Sequence, residues 1–147
     1  MKKFPNLFPE DSARTIQRSK LVLKEGKWRE VRLKGEERTA SGVYNFVVTL
    51  EGIVFIHRLS ARVGDKPIGH IDLAMGNDVK YAGQIYFSGR TNRGILRKWT
   101  NESGHYRPLP EFISNADLLP QELFKPGKFK SLRSREDRIA PTTMNRT

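Results

Sequence analysis

Val43-Tyr44-Asn45-Phe46-Val47-Val48-Thr49-Leu50, then Glu51-Gly52, then Ile53-Val54-Phe55-Ile56-His57-Arg58-Leu59 is the stretch from which the fold can be read. Both arms are rich in β-branched and aromatic residues, which suit a pleated and half-buried surface, and a short turn containing glycine separates them. A β-hairpin is predicted, with residues 43–50 and 53–59 as its strands. Toward the N-terminus, Leu21 and Leu23, then Gly26, then Trp28, Val31 and Leu33 predict two short strands around a Glu25-Gly26-Lys27 turn, with Lys and Arg on the opposite face. Ahead of these, Asp11 or Ser12 can cap a short helix running to Lys20; its apolar face, Ala13 and Ile16, is thin, and a turn is the alternative. Residues 4–9 alternate Phe, Pro, Asn and Leu and form an arm, because each proline restricts the residue before it.

Toward the C-terminus, residues 61–69 carry the Gly, Asp and Pro of a loop, and His70 begins a strand region leading into a second hairpin. Val79, Tyr81, Ile85 and Phe87 alternate with Lys80, Gln84 and Ser88; residues 89–94 make a polar, basic loop; Ile95, Arg97 and Trp99 continue on the return strand. Ala82-Gly83 in mid-strand points to a bulge or to the close approach of another backbone. Beyond residues 103–108, the approximate helical spacing of Phe112, Ile113, Ala116, Leu119 and Leu123, broken by Pro120, predicts one or two short helices on the sheet. The expected fold is α+β, mainly antiparallel β hairpins forming one sheet, with short helices after the Ser-Gly-His-Tyr turn. Residues 1–125 are expected to form a single basic globular domain, and residues 126–147, rich in charge and poor in apolar residues, a flexible basic tail.

The chain has 147 residues, with 27 Lys and Arg against 16 Asp and Glu, and the resulting charge of +11 projects a positive field over much of so small a surface. Such a field attracts phosphates, acidic proteins or anionic membranes, and nucleic acid, RNA foremost, is the expected partner. The absence of cysteine excludes a disulfide framework, a thiol nucleophile and every Cys-containing zinc site. The three histidines, His57, His70 and His105, offer no ligand pair on one helical turn, so neither a metal nor another cofactor is expected. The longest apolar run, Ile53-Val54-Phe55-Ile56, is far short of the roughly 18–20 residues of a membrane span, and no apolar signal-peptide core follows Met1-Lys2-Lys3-Phe4-Pro5. No membrane partner is expected, and export is expected to rely on an attached carrier.

Chemistry concentrates between Tyr81 and Pro108. There Arg90, Arg93, Arg97, Lys98 and Arg107 are interleaved with Tyr86, Phe87, Trp99 and Tyr106, a pattern in which cations neutralise phosphates and exposed rings stack on bases. For Phe87 and Trp99 the competing and stronger reading is core packing on an alternating strand. Ser103-Gly104-His105-Tyr106-Arg107-Pro108 sets an imidazole directly after a glycine in a tight turn, beside an arginine. A lone histidine of this kind is most often a hydrogen-bonded structural residue. Paired with His70 across a mixed sheet it could instead cleave RNA without a metal, one imidazole taking the 2′-hydroxyl proton and the other protonating the leaving oxygen. His70, His105 and Tyr106 are the candidate catalytic residues, and Arg90, Arg93, Arg97, Lys98 and Arg107 the candidate nucleic-acid contacts.

The series His70, Leu73, Gly76, Val79, Tyr81-Ala82-Gly83 and Ile85, followed by Gly94, Leu96, Trp99, Asn101 and Ser103-Gly104-His105-Tyr106-Arg107-Pro108, resembles a C-terminal toxin module of bacterial polymorphic toxins and effectors of the Rhs type. It covers a quarter to a third of the chain. The resemblance implies a toxin delivered by a carrier into the cytoplasm of a competitor or host cell, and neutralised in the producer by a cognate, acidic immunity protein. Three functions stand in competition. The first is a ribonuclease toxin using His70 and His105. The second is an ADP-ribosyltransferase toxin in which Arg58 holds a dinucleotide phosphate and Glu102 or Glu111 its ribose. The third is a non-catalytic nucleic-acid-binding or adaptor module in which residues 103–108 are a structural turn.

Overall fold

The computed structural model describes residues 3–14, 16, 18–32, 34–60, 62–63, 66–116 and 128–131. Along the chain run β1 (Ser19–Lys24), β2 (Lys27–Arg32), β3 (Glu37–Thr39), β4 (Gly42–Thr49), β5 (Val54–Arg58), β6 (Arg62–Val63), β7 (Lys66–Pro67), α1 (His70–Ala74), β8 (Val79–Phe87), β9 (Leu96–Thr100), a 3-10 helix (Pro110–Ala116) and β10 (Phe129–Lys130). Eight strands form one sheet in the order β10-β9-β8-β4-β5-β1-β2-β3, and β6 and β7 make a separate two-stranded ribbon. Neighbours in the large sheet are antiparallel except β9 and β10, so the sheet is mixed.

The two predicted hairpins are its centre. β4 and β5 pair with Tyr44 opposite Arg58 and Val48 opposite Val54, and β8 lies along the other edge of β4, Phe46 facing Gly83. The β1–β2 hairpin closes through Glu25 and Gly26, both at positive φ (52° and 79°), the left-handed pair that two-residue turns need to match strand twist. The sheet then curls. Trp28 N–H donates to the Gly94 carbonyl at 2.9 Å and Gly94 N–H to the Ala40 carbonyl at 2.7 Å, tying the β2–β3 end to the loop between β8 and β9. The result is a partly closed barrel. Its concave face holds Trp28, Tyr44, Phe46, Tyr81, Ile85, Phe87 and Trp99, all buried, with edge-on ring contacts such as Tyr81–Trp99 at 5.8 Å and Tyr44–Phe87 at 5.8 Å. Phe87 and Trp99 are therefore core residues, as alternation favours.

Gly83 marks a close approach of backbones. A Cβ at this position would lie 1.7 Å from the Thr100 carbonyl oxygen, so only glycine lets β8 pass the end of β9.

Three local expectations are corrected. No helix forms among the described residues between Asp11 and Lys20, because the Arg14 N–H and guanidinium are drawn out to Asp72 (2.8 Å each) and β1 starts at Ser19. His70 opens α1 rather than a strand; Asp72 accepts the Gly69 N–H at 3.0 Å and so starts the helix. Phe129 and Lys130, expected in a flexible tail, pair with Trp99 and Thr100, and the Phe129 ring rests on Trp99 at 4.6 Å. The remainder of that tail, apart from Lys128 and Ser131, lies outside the described residues, as do Leu119, Pro120 and Leu123 of the expected helices, which leaves the 3-10 helix after the Ser-Gly-His-Tyr turn.

Candidate nucleic-acid interface

The candidate catalytic residues sit in the interior, His105 beneath the N-terminal arm. His70 is 0% exposed, and its Nε2 lies 2.6 Å from the Gly83 carbonyl oxygen, a contact in which the imidazole N–H donates. His105 is 4% exposed, its Nε2 3.0 Å from Asp11 Oδ2 and its ring edge-on to Phe8 at 5.7 Å. The arm is fastened over this turn: Phe4 pairs with Val79 through two backbone bonds, and Leu7 N–H donates to the His105 carbonyl at 2.7 Å. Tyr106 donates to the Asn77 carbonyl at 2.8 Å, and burial pushes its phenol well above the usual value, which keeps it neutral. Arg107, expected on a phosphate, is 1% exposed; its Nε donates to the Gly104 carbonyl at 2.8 Å and its guanidinium lies 5.5 Å from the Phe8 ring centre. All four side chains are buried, and Arg107 closes the 103–108 turn on itself.

The remaining candidate cations face solvent in two places. Arg97 donates to Ser88 at 2.6 Å, and Lys98 sits over the Tyr86 ring at 4.3 Å. Arg90 and Arg93, exposed in the β8–β9 loop, line a hollow of 440 Å³ together with Lys27, Arg38, Thr39, Ser41 and Arg58.

Arg38 and Arg58 connect that hollow to a larger one at the open end of the barrel. Where β1, β2, β3 and β5 end, the apolar concave face gives way to a mouth of 640 Å³ lined by Arg18, Ser19, Glu30, Arg32, Lys34, Glu36, Arg38, His57, Arg58 and Ser60. Register explains the change. Ser19 stands opposite both Arg32 and Ile56, Glu30 opposite Leu21 and Arg38, and Arg58 opposite Tyr44, so these polar side chains share the face of the core residues but lie at its rim. Volumes of this size and barrel mouths are common ligand sites.

The mouth contains a single strand carboxylate. Glu30, 5% exposed, accepts from Arg38 Nε at 3.0 Å, from the Tyr44 hydroxyl at 3.4 Å and from the Ser19 hydroxyl at 3.2 Å. The cations around it are differently placed. None of Arg18, Arg32, Lys34 and Arg58 makes an ion pair among the described residues. Arg18 donates to the Leu73 carbonyl at 3.0 Å with its guanidinium 3.8 Å from the Phe55 ring centre, and Arg58 donates to the Ser41 carbonyl at 3.1 Å, 5.1 Å from the Tyr44 ring centre. Each is thus held by one N–H and an aromatic face, leaving the other donors of a rigid fork for an anion. His57 is half-buried on the rim; burial lowers its pKa, partly offset by its neighbours, the Glu30 carboxylate among them.

Most of this mouth is absent from the sequence-derived site. The signal was present in Trp28-Arg29-Glu30-Val31-Arg32: if Trp28 points inward, strict alternation carries Glu30 and Arg32 inward with it. Arg58, proposed for a dinucleotide phosphate, does line the mouth, whereas neither Glu102 nor Glu111 does. Among the described residues, no three His, Asp or Glu side chains converge where a metal ion could sit, and no helix is long and apolar enough to cross a membrane. Compared with known proteins, the chain matches no family model, no curated protein and no solved structure.

Proposed function

We propose that this chain is the RNA-directed domain of a bacterial toxin or effector, which grips a phosphate backbone across the barrel mouth and cleaves it without a metal. One observation carries the reading: Arg18, Arg32, Lys34 and Arg58 surround a cleft and have no carboxylate partner among the described residues, two of them held by a carbonyl and a ring. A cation that serves the fold is ordinarily paired, whereas unpaired guanidinium groups around one cleft repel each other until an anion enters. Arg90 and Arg93 extend the track through the adjoining hollow, giving a strand of several nucleotides successive phosphate contacts. An acidic immunity protein would neutralise the domain by occupying the same mouth. Delivery by a carrier into a target cytoplasm completes the reading, on the strength of the resemblance described above.

A non-catalytic binding module is the second reading. It is favoured by the burial of His70, His105 and Tyr106, which gives residues 103–108 the character of a structural turn. Incubation of the pure protein with total RNA, with growth measured on cytoplasmic expression, separates the two. Fragmentation and slowed growth are expected; salt-sensitive binding with intact RNA and normal growth would establish the second reading.

A further inference from the structure

The mouth brings together a carboxylate and an imidazole that come from different strands and that no sequence motif joins. Glu30 rises from β2 on the concave face, and His57 stands near the end of β5 on the opposite face from Arg58; both line the same cleft as the unpaired arginines. Among the described residues, three of the four lone-pair positions of the Glu30 carboxylate are used: Oε1 receives Arg38 and Tyr44, and Oε2 receives Ser19. One acceptor position on Oε2 therefore remains for an incoming hydroxyl. The Nδ1 of His57 is buried, which leaves Nε2 as the nitrogen able to exchange a proton with the mouth. The other two histidines, His70 and His105, are buried away from the mouth. Glu36, the other acid of the mouth, lies on its exposed rim.

We infer that Glu30 and His57 are the base and acid of a 2′-hydroxyl-dependent phosphodiester cleavage in this mouth. The inference rests on the RNA reading above and assigns its chemistry. The Glu30 carboxylate takes the proton from a ribose 2′-hydroxyl as O2′ bonds to phosphorus. The P–O5′ bond breaks, its electron pair passes to O5′, and protonated His57 supplies the proton that O5′ then carries. The products are a 2′,3′-cyclic phosphate and a 5′-hydroxyl; no water, metal or oxidant enters. Arg32 and Arg58 meet the charge that gathers on the non-bridging oxygens as the fifth bond forms. Because burial lowers the His57 pKa, the protonated acid is lost on the low side of the ordinary histidine value of 6.5.

Single-turnover cleavage of a short, end-labelled RNA by the full chain, with affinity measured in parallel by fluorescence anisotropy, tests this. Glu30→Gln and His57→Gln should each slow cleavage by about 100-fold or more while affinity changes by no more than about threefold. A 2′-deoxy substitution at the scissile nucleotide should stop cleavage, the product should end in a cyclic phosphate, and the alkaline limb of the rate profile, lying below pH 6.5, should vanish in His57→Gln. If Glu30→Gln does not fold, the half-exposed His57 variant and the 2′-deoxy substrate decide alone. Wild-type rates in folded His57→Gln, or cleavage of the 2′-deoxy strand, overturn the assignment and leave an RNA-cleaving protein with other catalytic groups. RNA bound but not cut overturns it and leaves a binding module. A wild-type chain that does not bind RNA overturns both readings.

Discussion

At the residue scale, Asp72 and Gly83 decide most. Asp72 is buried and accepts from the Arg14 backbone N–H and guanidinium and from Gly69 N–H, so one carboxylate anchors the segment that leads into β1 and starts α1. Burial opposes its ionisation, but the Arg14 and Gly69 hydrogen bonds outweigh that and hold its carboxyl below the usual carboxylate range. Its contribution to stability is therefore complete above the unfolded value of about 3.8 and is lost as pH falls through the lower folded value. Asp72→Ala should cost about 1.5–3 kcal/mol, the range for hydrogen bonds to a charged group, because the Arg14 left behind is partly exposed and can be hydrated, and should flatten the acid limb of stability against pH; denaturant melts between pH 2 and 7 would check both. His57 acts in the same direction. Its lowered pKa favours the neutral imidazole in the fold, so stability present above pH 6.5 declines below it, and His57→Gln should remove that part of the dependence. At Gly83 even a methyl group meets backbone rather than a movable side chain. Gly83→Ala should destabilise by at least the ~1–3 kcal/mol usual for overpacking, as read from the shift in denaturant midpoint at unchanged slope.

At the scale of elements, the sheet was legible because its strands obey a two-residue period. The β4–β5 and β8–β9 hairpins and the β1–β2 turn follow from alternation, β-branching and the placing of glycine, all of them local properties. The short elements were not legible, because none carries enough apolar spacing to declare itself. α1 is five residues whose Asp72 carboxylate closes on the Gly69 N–H and is held from afar by Arg14, and β10 is two residues whose place comes from a parallel partner and the Trp99 ring. Phe129→Ala should lower stability by about 1–2 kcal/mol, below the full value for a buried aromatic because the ring is only half-buried, and a chain ending at residue 125 should melt below the full chain. Equal melting temperatures would mean that β10 adds nothing to the sheet.

At the scale of the whole molecule, the chain carries a charge of +11, and five of its cations, Arg18, Arg32, Lys34, Arg38 and Arg58, line the mouth. Binding of single-stranded RNA should weaken steeply with salt, the logarithm of affinity falling by about 0.7 per phosphate contact for each logarithmic unit of salt. Arg32→Gln and Arg58→Gln should each lower affinity and reduce that slope by roughly 0.7, whereas Lys98→Gln, its ammonium over Tyr86 away from the mouth, should change neither appreciably. Salt titrations by anisotropy would show it, and an unchanged slope in both arginine variants would place the RNA elsewhere. What the sequence determined by itself was the pairing of neighbouring strands, the burial of Phe87 and Trp99, the close approach at Gly83 and the positive field, since each follows from local pattern or from composition. Which charges meet was decided only in three dimensions. Arg18, Glu30, Arg38, His57 and Arg58 converge because β5, β1, β2 and β3 are neighbours in the sheet with these positions near one end of their register, while His105 is covered by an arm about a hundred residues earlier in the chain. The pairing of β1 with β5 and the covering of His105 depend on contacts between distant segments, which strand alternation does not encode.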